Sequence, residues 1–206
     1  MLLAIDTSAG TSVAVVDRDA GALAEAFSDD TRRHAEVIGE LIAAVLAESG
    51  VAVGDLSGVV AGMGPGPFTG LRVGIAAARA FALGAGTAVI AVVSHDAIAF
   101  GADGPVLVAT DARRSEVYWS AYSGPDATGL PTRTHGPALA KAAELDSLVA
   151  GFPGHRLIEA RTVSAAALGL LAEAMHAQHR PFAADEPLYL RSPDVTLSAG
   201  PKRVTS

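Results

Sequence analysis

The chain has 206 residues, half of them hydrophobic, and a formal net charge of -7 at pH 7. It is long enough to bury roughly 70% of the surface that the unfolded chain exposes, which predicts a globular protein of one or two domains. The absence of cysteine excludes a disulfide framework and thiol catalysis, and an acidic chain with short, scattered basic pairs is not expected to hold a nucleic-acid backbone by itself.

The first part of the chain predicts a three-stranded meander. Short apolar runs occupy residues 2–6, 12–17 and 22–27, and turn residues separate them. Strands that follow one another so closely are expected to pair with their neighbours in an antiparallel arrangement.

Alternating helices and strands are predicted after the meander. Hydrophobic residues recur at helical spacing over 31–49, where Asp30 or Thr31 is the expected cap and Gly50 ends the helix. A strand, a helix and another strand are then predicted at 58–62, 71–83 and 87–93. This order predicts an α/β fold with a mixed sheet covered by helices.

Neither a signal peptide nor a membrane span is predicted. The N-terminus has no basic residues and reaches Asp6 too early for a signal peptide. The longest weakly charged run, 73–93, contains Arg79 and is interrupted by Gly84 and Gly86, which indicates a helix, a turn and a strand. We therefore expect a soluble, cytoplasmic protein.

The second half of the chain repeats the opening of the first half. The segments LLAIDTSAGTSVAVV and VLVATDARRSEVYWSAY align at a constant offset, which places Asp6 opposite Asp111. Each contains an apolar strand, an aspartate, a turn and a second strand. The match favours two related subdomains, residues 1–100 and a smaller 101–206 that ends in a flexible tail. Two later helices are expected at 138–149 and 163–179.

A glycine-rich loop at 62–70, GMGPGPFTG, follows a strand and opens a helix, where phosphate-binding loops lie. A Walker loop requires Lys and then Ser or Thr after its last glycine, but Leu71 and Arg72 follow here. Pro65 and Pro67 also remove two amide donors that a phosphate site would use. The residues therefore favour a stiff structural loop.

The helix after this loop carries small residues at every fourth position, namely Gly70, Gly74, Ala78 and Ala82. An internal glycine costs a helix roughly 1 kcal/mol relative to alanine, so something is expected to approach the backbone closely there. Two neighbours stay open on the spacing alone: this protein's own sheet or first helix, and a helix of another chain.

The segment Asp6-Thr7-Ser8 ends the first strand. An aspartate at such a position in a duplicated fold can orient magnesium and phosphate, so Asp6, Thr7, Ser8 and Asp111 form a possible nucleotide-side loop. A local turn cap is the favoured interpretation of Asp6. The turn after Asp111 lacks glycine, which hinders close approach of the backbone to a phosphate.

The sequence predicts no catalytic or metal-binding constellation. None of the six histidines forms an H-x-x-x-H pair on a helix, and no G-x-S-x-G nucleophile elbow is present. We therefore expect no catalytic residue, no metal ligand and no cofactor.

Five motifs follow one another along nearly the whole chain. They are IDTS near the start, R-x-H-A-E at 32–36, GPGPFTGLRVG at 64–74, DARRSEVYW at 111–119 and YLR at 189–191. Together they resemble the TsaB family, also called YeaZ. The resemblance implies an actin-like (ASKHA, RNase H-like) fold of two subdomains with mixed sheets flanked by helices. It also implies a bacterial protein required for N6-threonylcarbamoyladenosine in tRNA.

The resemblance further implies a non-catalytic subunit that binds and activates its catalytic paralogue, TsaD. It implies pairing through helices 31–49 and 69–83, docking of the ATPase TsaE nearby, contact with tRNA only through the complex, and a homodimer when the chain is alone. The contact residues that it implies are His34, Val37, Leu41, Gly70, Leu71, Arg72, Gly74, Ile75 and Ala78.

One region departs from the family pattern. The stretch from Thr134 to Val163 is short, and the usual glycine-containing strand and loop is not visible in it. Two other functions stay open: an actin-like ATPase or phosphotransferase that uses Asp6 and Asp111, and a self-associating dimer with no role in tRNA.

Overall fold

A computed structural model describes residues 1–30 and 33–191, which contain two mixed sheets. The strands of the first sheet are β1 (Leu2–Asp6), β2 (Thr11–Asp17), β3 (Gly21–Ser28), β4 (Gly58–Gly62) and β5 (Ala88–Val92). Their spatial order is β3-β2-β1-β4-β5. The first three strands pair antiparallel, and β4 and β5 extend the sheet parallel to β1. The predicted meander and mixed sheet are confirmed.

The second sheet repeats the pairing of the first. Its strands are β6 (Val106–Arg113), β7 (Glu116–Pro125), β8 (Pro131–Lys141) and β9 (Arg156–Ala160), in the order β8-β7-β6-β9. β6 and β7 form an antiparallel pair as β1 and β2 do, and β9 lies parallel to β6 as β4 lies parallel to β1. The sequence repeat thus corresponds to a shared strand pairing.

The described residues form five α-helices: α1 (His34–Ser49), α2 (Phe68–Ala85), α3 (Ser94–Ala99), α4 (Leu145–Ala150) and α5 (Ala165–Ala177). Helices α1 and α2 cover one face of the first sheet, and α5 covers the other. Successive side chains of a strand point to opposite faces. Leu3 and Ile5 accordingly pack in one core with residues of α1 and α2, whereas Leu2 and Ala4 pack in another core with residues of α5.

Short helix α3 connects the two sheets. Ala99 packs against Val106 and Tyr122 of the second sheet. His95 is fully buried, and its ring nitrogens lie 2.8 Å from Ser120 Oγ and 3.0 Å from Thr110 Oγ1. The subdomains are therefore joined by a buried polar contact as well as by apolar packing.

The predicted helix at 138–149 is wrong at its beginning. Residues 138–141 complete strand β8, where Ala138 pairs with Trp119 and Leu139 pairs with Tyr118 of β7. A 3-10 turn, Ala142–Glu144, follows, and α4 begins only at Leu145. The alanine-rich composition favours a helix, but pairing with a neighbouring strand outweighs such weak propensities.

The start of α1 also differs from the prediction. The helix begins at His34, and Arg33 precedes it without a side-chain cap, so Asp30 does not act as the cap. Thr31, the other expected cap, lies outside the described residues. At the other end the prediction is confirmed, because Gly50 ends α1 with a φ of 66°.

The division into 1–100 and 101–206 does not match the packing of α5. This helix lies after residue 100, yet it packs on β1 and β2 of the first sheet, and the segment after it donates a hydrogen bond from Ala183 N to Ala91 O of β5. Its apolar face, including Leu168 and Leu171, covers the side of the sheet that α1 and α2 leave open. The expected flexible tail, residues 192–206, lies outside the described residues.

Helix α2 is long and apolar enough to cross a membrane when judged by length and composition alone. In this fold Leu71, Ile75 and Ala78 of α2 are buried in the core of the first subdomain. Its length and composition are therefore only weak evidence for a membrane span, since the core helix of a soluble protein satisfies the same criteria.

Candidate functional site

The glycine-rich loop before α2 is packed into the protein. The Ser94 N–H donates to Gly64 O at 2.8 Å, and the Gly64 N–H donates to Ser94 Oγ at 3.0 Å. A Cβ at Gly66 would lie 2.8 Å from the backbone of Ser8. The loop therefore holds the β1–β2 turn and the start of α3 together, as expected for a structural loop.

The small-residue stripe of α2 contacts this chain's own β1–β2 turn. Thr7 Oγ1 donates to Gly70 O at 2.7 Å and accepts from the Gly74 N–H at 3.1 Å. A Cβ at Gly74 would lie 2.2 Å from Thr7 Oγ1, and one at Gly70 would lie 2.7 Å from Thr7 O. Of the two neighbours that the spacing left open, the protein's own core occupies this stripe.

His34 is also an internal residue. Its side chain is buried, and its Nδ1 lies 2.7 Å from Thr11 Oγ1. Burial lowers the pKa of His34, and the positive charge of Arg113 lowers it further. Neutral imidazole at this position helps to fix the start of α1 against β2.

Six of the nine expected contact residues are buried against other residues of this chain, so they offer little surface to a partner helix. These residues are His34, Gly70, Leu71, Gly74, Ile75 and Ala78. The other three keep exposed surface, since Arg72 is exposed and Val37 and Leu41 are half-buried.

The exposed line of α2 runs through Arg72, Ala76, Ala80 and Leu83. It begins two positions after the buried stripe, which corresponds to a rotation of about 200° around the helix. Leu83 is 84% exposed, more than any other large hydrophobic residue among the described ones. An apolar side chain presented in this way next to small residues suits a binding surface. Sequence spacing missed this line because alanine recurs at four-residue intervals on both sides of α2.

A cleft of about 1060 Å³ separates the two subdomains. Ser8 and Gly10 line it from the first subdomain, and Asp111, Arg113 and Glu116 line it from the second. The second wall has an unusual backbone. Arg113, Arg114 and Ser115 adopt φ values of 65°, 54° and 59°, in the left-handed region that non-glycine residues seldom occupy. Sequence reasoning gave no sign of this conformation.

Asp6 does not face this cleft. Its side chain is fully buried, where Oδ1 accepts from Ser8 N at 2.7 Å and Ser8 Oγ at 2.6 Å, and Oδ2 accepts from Ser94 Oγ at 2.5 Å. Burial raises the pKa of Asp6, although the hydrogen bonds from Ser8 and Ser94 oppose that effect. The favoured interpretation as a local turn cap agrees with this geometry.

The expected nucleotide-side residues are only partly brought together. Ser8 and Asp111 line the cleft, whereas Asp6 and Thr7 are turned into the core of the first subdomain. Asp111 is itself engaged, since its Oδ1 accepts from the Arg113 N–H at 2.8 Å. Within residues 1–30 and 33–191, no group of three or more acidic or histidine side chains is arranged to hold a metal ion.

Comparison with known proteins gives a consistent result. A family model described as "TsaD: tRNA N6-adenosine threonylcarbamoyltransferase" matches residues 23–194. An uncharacterized protein from Mycobacterium tuberculosis is 41% identical over 203 residues, which cover 94% of this chain and 92% of that relative. The Escherichia coli "tRNA threonylcarbamoyladenosine biosynthesis protein TsaB" is 37% identical over 126 residues, 59% of this chain and 54% of that protein.

A solved structure of YeaZ from Pseudomonas aeruginosa matches the fold with a TM-score of 0.73 at 26% identity, covering 92% of this chain and 99% of the other. The chain belongs to the TsaB (YeaZ) family. The resemblance seen in the motifs and the expected actin-like fold are thereby confirmed. Membership of the TsaB family supports a role in the biosynthesis of threonylcarbamoyladenosine in tRNA.

Proposed function

We propose that this TsaB-family chain is the non-catalytic subunit of a complex that forms N6-threonylcarbamoyladenosine in tRNA, and that it binds and activates TsaD. Relatives named TsaB and the match to the TsaD family model support this proposal. The observation that carries it is the exposed line of α2, Arg72, Ala76, Ala80 and Leu83.

The chemistry of this line suits a helix of TsaD as the occupant. Alanine side chains let a second helix approach to the short end of the usual interaxial distances, 8–10 Å. Leu83 can then enter a pocket of the partner, and Arg72 can bind at the rim, since arginine is enriched at interfaces. Val37 and Leu41 of α1 add half-buried apolar surface to the same subdomain.

The contacts of this chain with tRNA, TsaE and a second copy of itself follow from its net charge and from the exposed line of α2. With a net charge of -7, this subunit contacts tRNA indirectly, because phosphate binding requires basic surface that the partners supply. The ATPase TsaE docks beside the same interface. In the absence of TsaD, the exposed line of α2 pairs with its copy in a homodimer, since one apolar surface can serve both partners.

The experiment combines purified chain, TsaD and TsaE with unmodified tRNA and an activated donor of the threonylcarbamoyl group. Light scattering after size-exclusion chromatography should give a 1:1 complex with TsaD, and nucleoside mass spectrometry should detect the modification only when this chain is present. A reaction that proceeds equally well without the chain, or the absence of a complex at micromolar concentrations, would overturn the proposal.

A further inference from the structure

The segment after α5, residues 181–191, forms a strap along the first subdomain. Ala183 N donates to Ala91 O at 3.0 Å, and Leu188 N donates to Met63 O at 2.8 Å. Between these points the Arg79 guanidinium of α2 donates to Asp185 Oδ1 at 2.8 Å. The strap is therefore fixed to β5, to α2 and to the loop that precedes α2.

Tyr189 connects the strap to the exposed line of α2. The Arg72 guanidinium lies 3.8 Å from the centre of the Phe68 ring, and Arg72 Nε donates to Tyr189 Oη at 3.1 Å. The rings of Phe68 and Tyr189 are 4.9 Å apart between their centres. A residue on the proposed partner surface thus holds the strap directly.

Two residues further on, the strap reaches the second subdomain. The Arg191 guanidinium forms an ion pair with Glu116, and it also donates to Arg113 O at 3.5 Å. Arg113 and Glu116 flank the β6–β7 turn, which forms one wall of the cleft. Non-glycine residues keep left-handed φ values where their surroundings hold them, and Arg191 is one such restraint on this turn.

We propose that the strap is a latch that sets the width of the cleft and transmits changes at the exposed line of α2 to it. Arg191 ties the β6–β7 turn to the first subdomain, and Arg72 keeps Tyr189, and with it Arg191, in place. Subdomains of one chain move relative to each other by default unless their interface is large and hydrophobic, so loss of this tie should widen the range of cleft openings. A partner bound at Arg72 would change the cleft through Tyr189 and Arg191. Only this effect of a partner rests on the proposed function.

The test measures the cleft in the isolated chain, so it is independent of TsaD. Because the chain has no cysteine, spin labels can be placed at Glu36→Cys on α1 and Asp146→Cys on α4, two exposed positions in different subdomains. Pulsed electron paramagnetic resonance then reports the distance distribution between the labels. The distance distribution should become roughly twice as broad as in the unsubstituted labelled chain in each of three variants, Arg191→Ala, Glu116→Gln and Arg72→Ala.

The controls separate a latch from a general loss of structure. The double variant Arg191→Glu with Glu116→Arg should restore the narrow distribution, and Arg156→Ala, which removes an exposed arginine from β9, should leave it unchanged. Circular dichroism and Tm verify folding. If the distance distribution stays unchanged in folded Arg191→Ala and Glu116→Gln, the strap does not set the width of the cleft. If it stays unchanged in Arg72→Ala, changes at α2 are not transmitted to the cleft.

Discussion

Thr7 and Gly74 are in direct backbone-to-side-chain contact, because the Gly74 N–H donates to Thr7 Oγ1 at 3.1 Å in the core of the first subdomain. The glycine is needed there for space, since its φ is not in the left-handed region. A Cβ at Gly74 would lie 2.2 Å from that same oxygen, much closer than atoms approach without a shift.

Gly74→Ala should therefore destabilise the protein by about 2 kcal/mol, although alanine gains about 1 kcal/mol of helix propensity. Urea unfolding followed by circular dichroism measures the change. Thr7→Ala removes the clashing Oγ1, so the double variant should lose less stability than the two single variants added together.

Gly39→Ala is the matched control for that prediction. Gly39 also lies inside a helix, but no atom lies within 4 Å of a Cβ placed there. The substitution should raise stability by about 0.5–1 kcal/mol. If Gly74→Ala were as stabilising as Gly39→Ala, the close contact with Thr7 would not exist in solution.

The partner surface can be mapped with Leu83→Asp. Because Leu83 is 84% exposed, the free energy of unfolding should change by less than about 0.5 kcal/mol. A charge placed in the proposed contact with TsaD should weaken binding by about 30-fold or more, the effect typical of a central interface residue. Isothermal titration calorimetry with TsaD measures it.

Phe27→Asp provides the comparison for Leu83→Asp. Phe27 is 69% exposed, but it lies on β3 at the edge of the first sheet and not on α2. This variant should bind TsaD with unchanged affinity. Equal losses in both variants, or no loss in Leu83→Asp, would place the contact elsewhere on the protein.

The buried His95 should make stability depend on pH. Burial lowers the pKa of His95 from 6.5 to about 3, with a further contribution from the positive charge of Arg133. Between these values the unfolded chain binds the proton and the folded chain does not. His95 therefore contributes a loss of stability as the pH falls from about 6.5 towards 3, on the order of 3–5 kcal/mol in total.

The variant His95→Gln isolates this effect. Glutamine keeps a donor and an acceptor near Ser120 and Thr110 but does not titrate. Asp6 and Asp96, whose pKa values are raised by burial, act in the opposite direction and are common to both proteins. The difference in unfolding free energy between wild type and variant should therefore change by several kcal/mol over this pH range. If the two unfolding free energies varied with pH in parallel, the pKa of His95 would not be lowered by burial.

The architecture was accessible from the sequence because it depends on repeated, local patterns. Short apolar runs bounded by turn residues predicted β1 and β2, the constant offset between Asp6 and Asp111 revealed the second hairpin, and Gly50 marked the end of α1. Each signal is a local pattern or the repetition of one, so no knowledge of distant contacts was needed.

The exposed line of α2 was not accessible in the same way. The lines through Gly74 and Ala76 both carry small residues at four-residue spacing, and contacts distant in sequence, such as that of Thr7 with Gly74, decide which of them is buried. The strand at residues 138–141 was missed for a related reason. This alanine-rich segment adopts a β conformation because it pairs with β7. In both cases a contact distant in sequence overrides a local preference.

The packing of α5 leads to a prediction about the first subdomain alone. Leu2, Ala4 and Val16 are buried together with Leu168 and Leu171 of α5. A fragment of residues 1–100 would expose this apolar face of the sheet to water. Each large side chain so exposed loses roughly 1.5–3 kcal/mol, and domains are stable by only about 5–15 kcal/mol. The fragment should therefore fail to fold, and circular dichroism should show no cooperative thermal transition.

A second shortened chain tests whether the fragment of residues 1–100 fails to fold because it lacks α5. Residues 104–160 are replaced by a short glycine-serine linker, which retains α3 and α5, two helices that pack on each other. This shortened chain should recover a cooperative transition because both faces of the sheet are covered again. Placing Leu168→Asp in it should abolish that transition, since the carboxylate would enter the core against β1 and β2. Cooperative folding of residues 1–100 alone would instead show that the first sheet does not depend on α5.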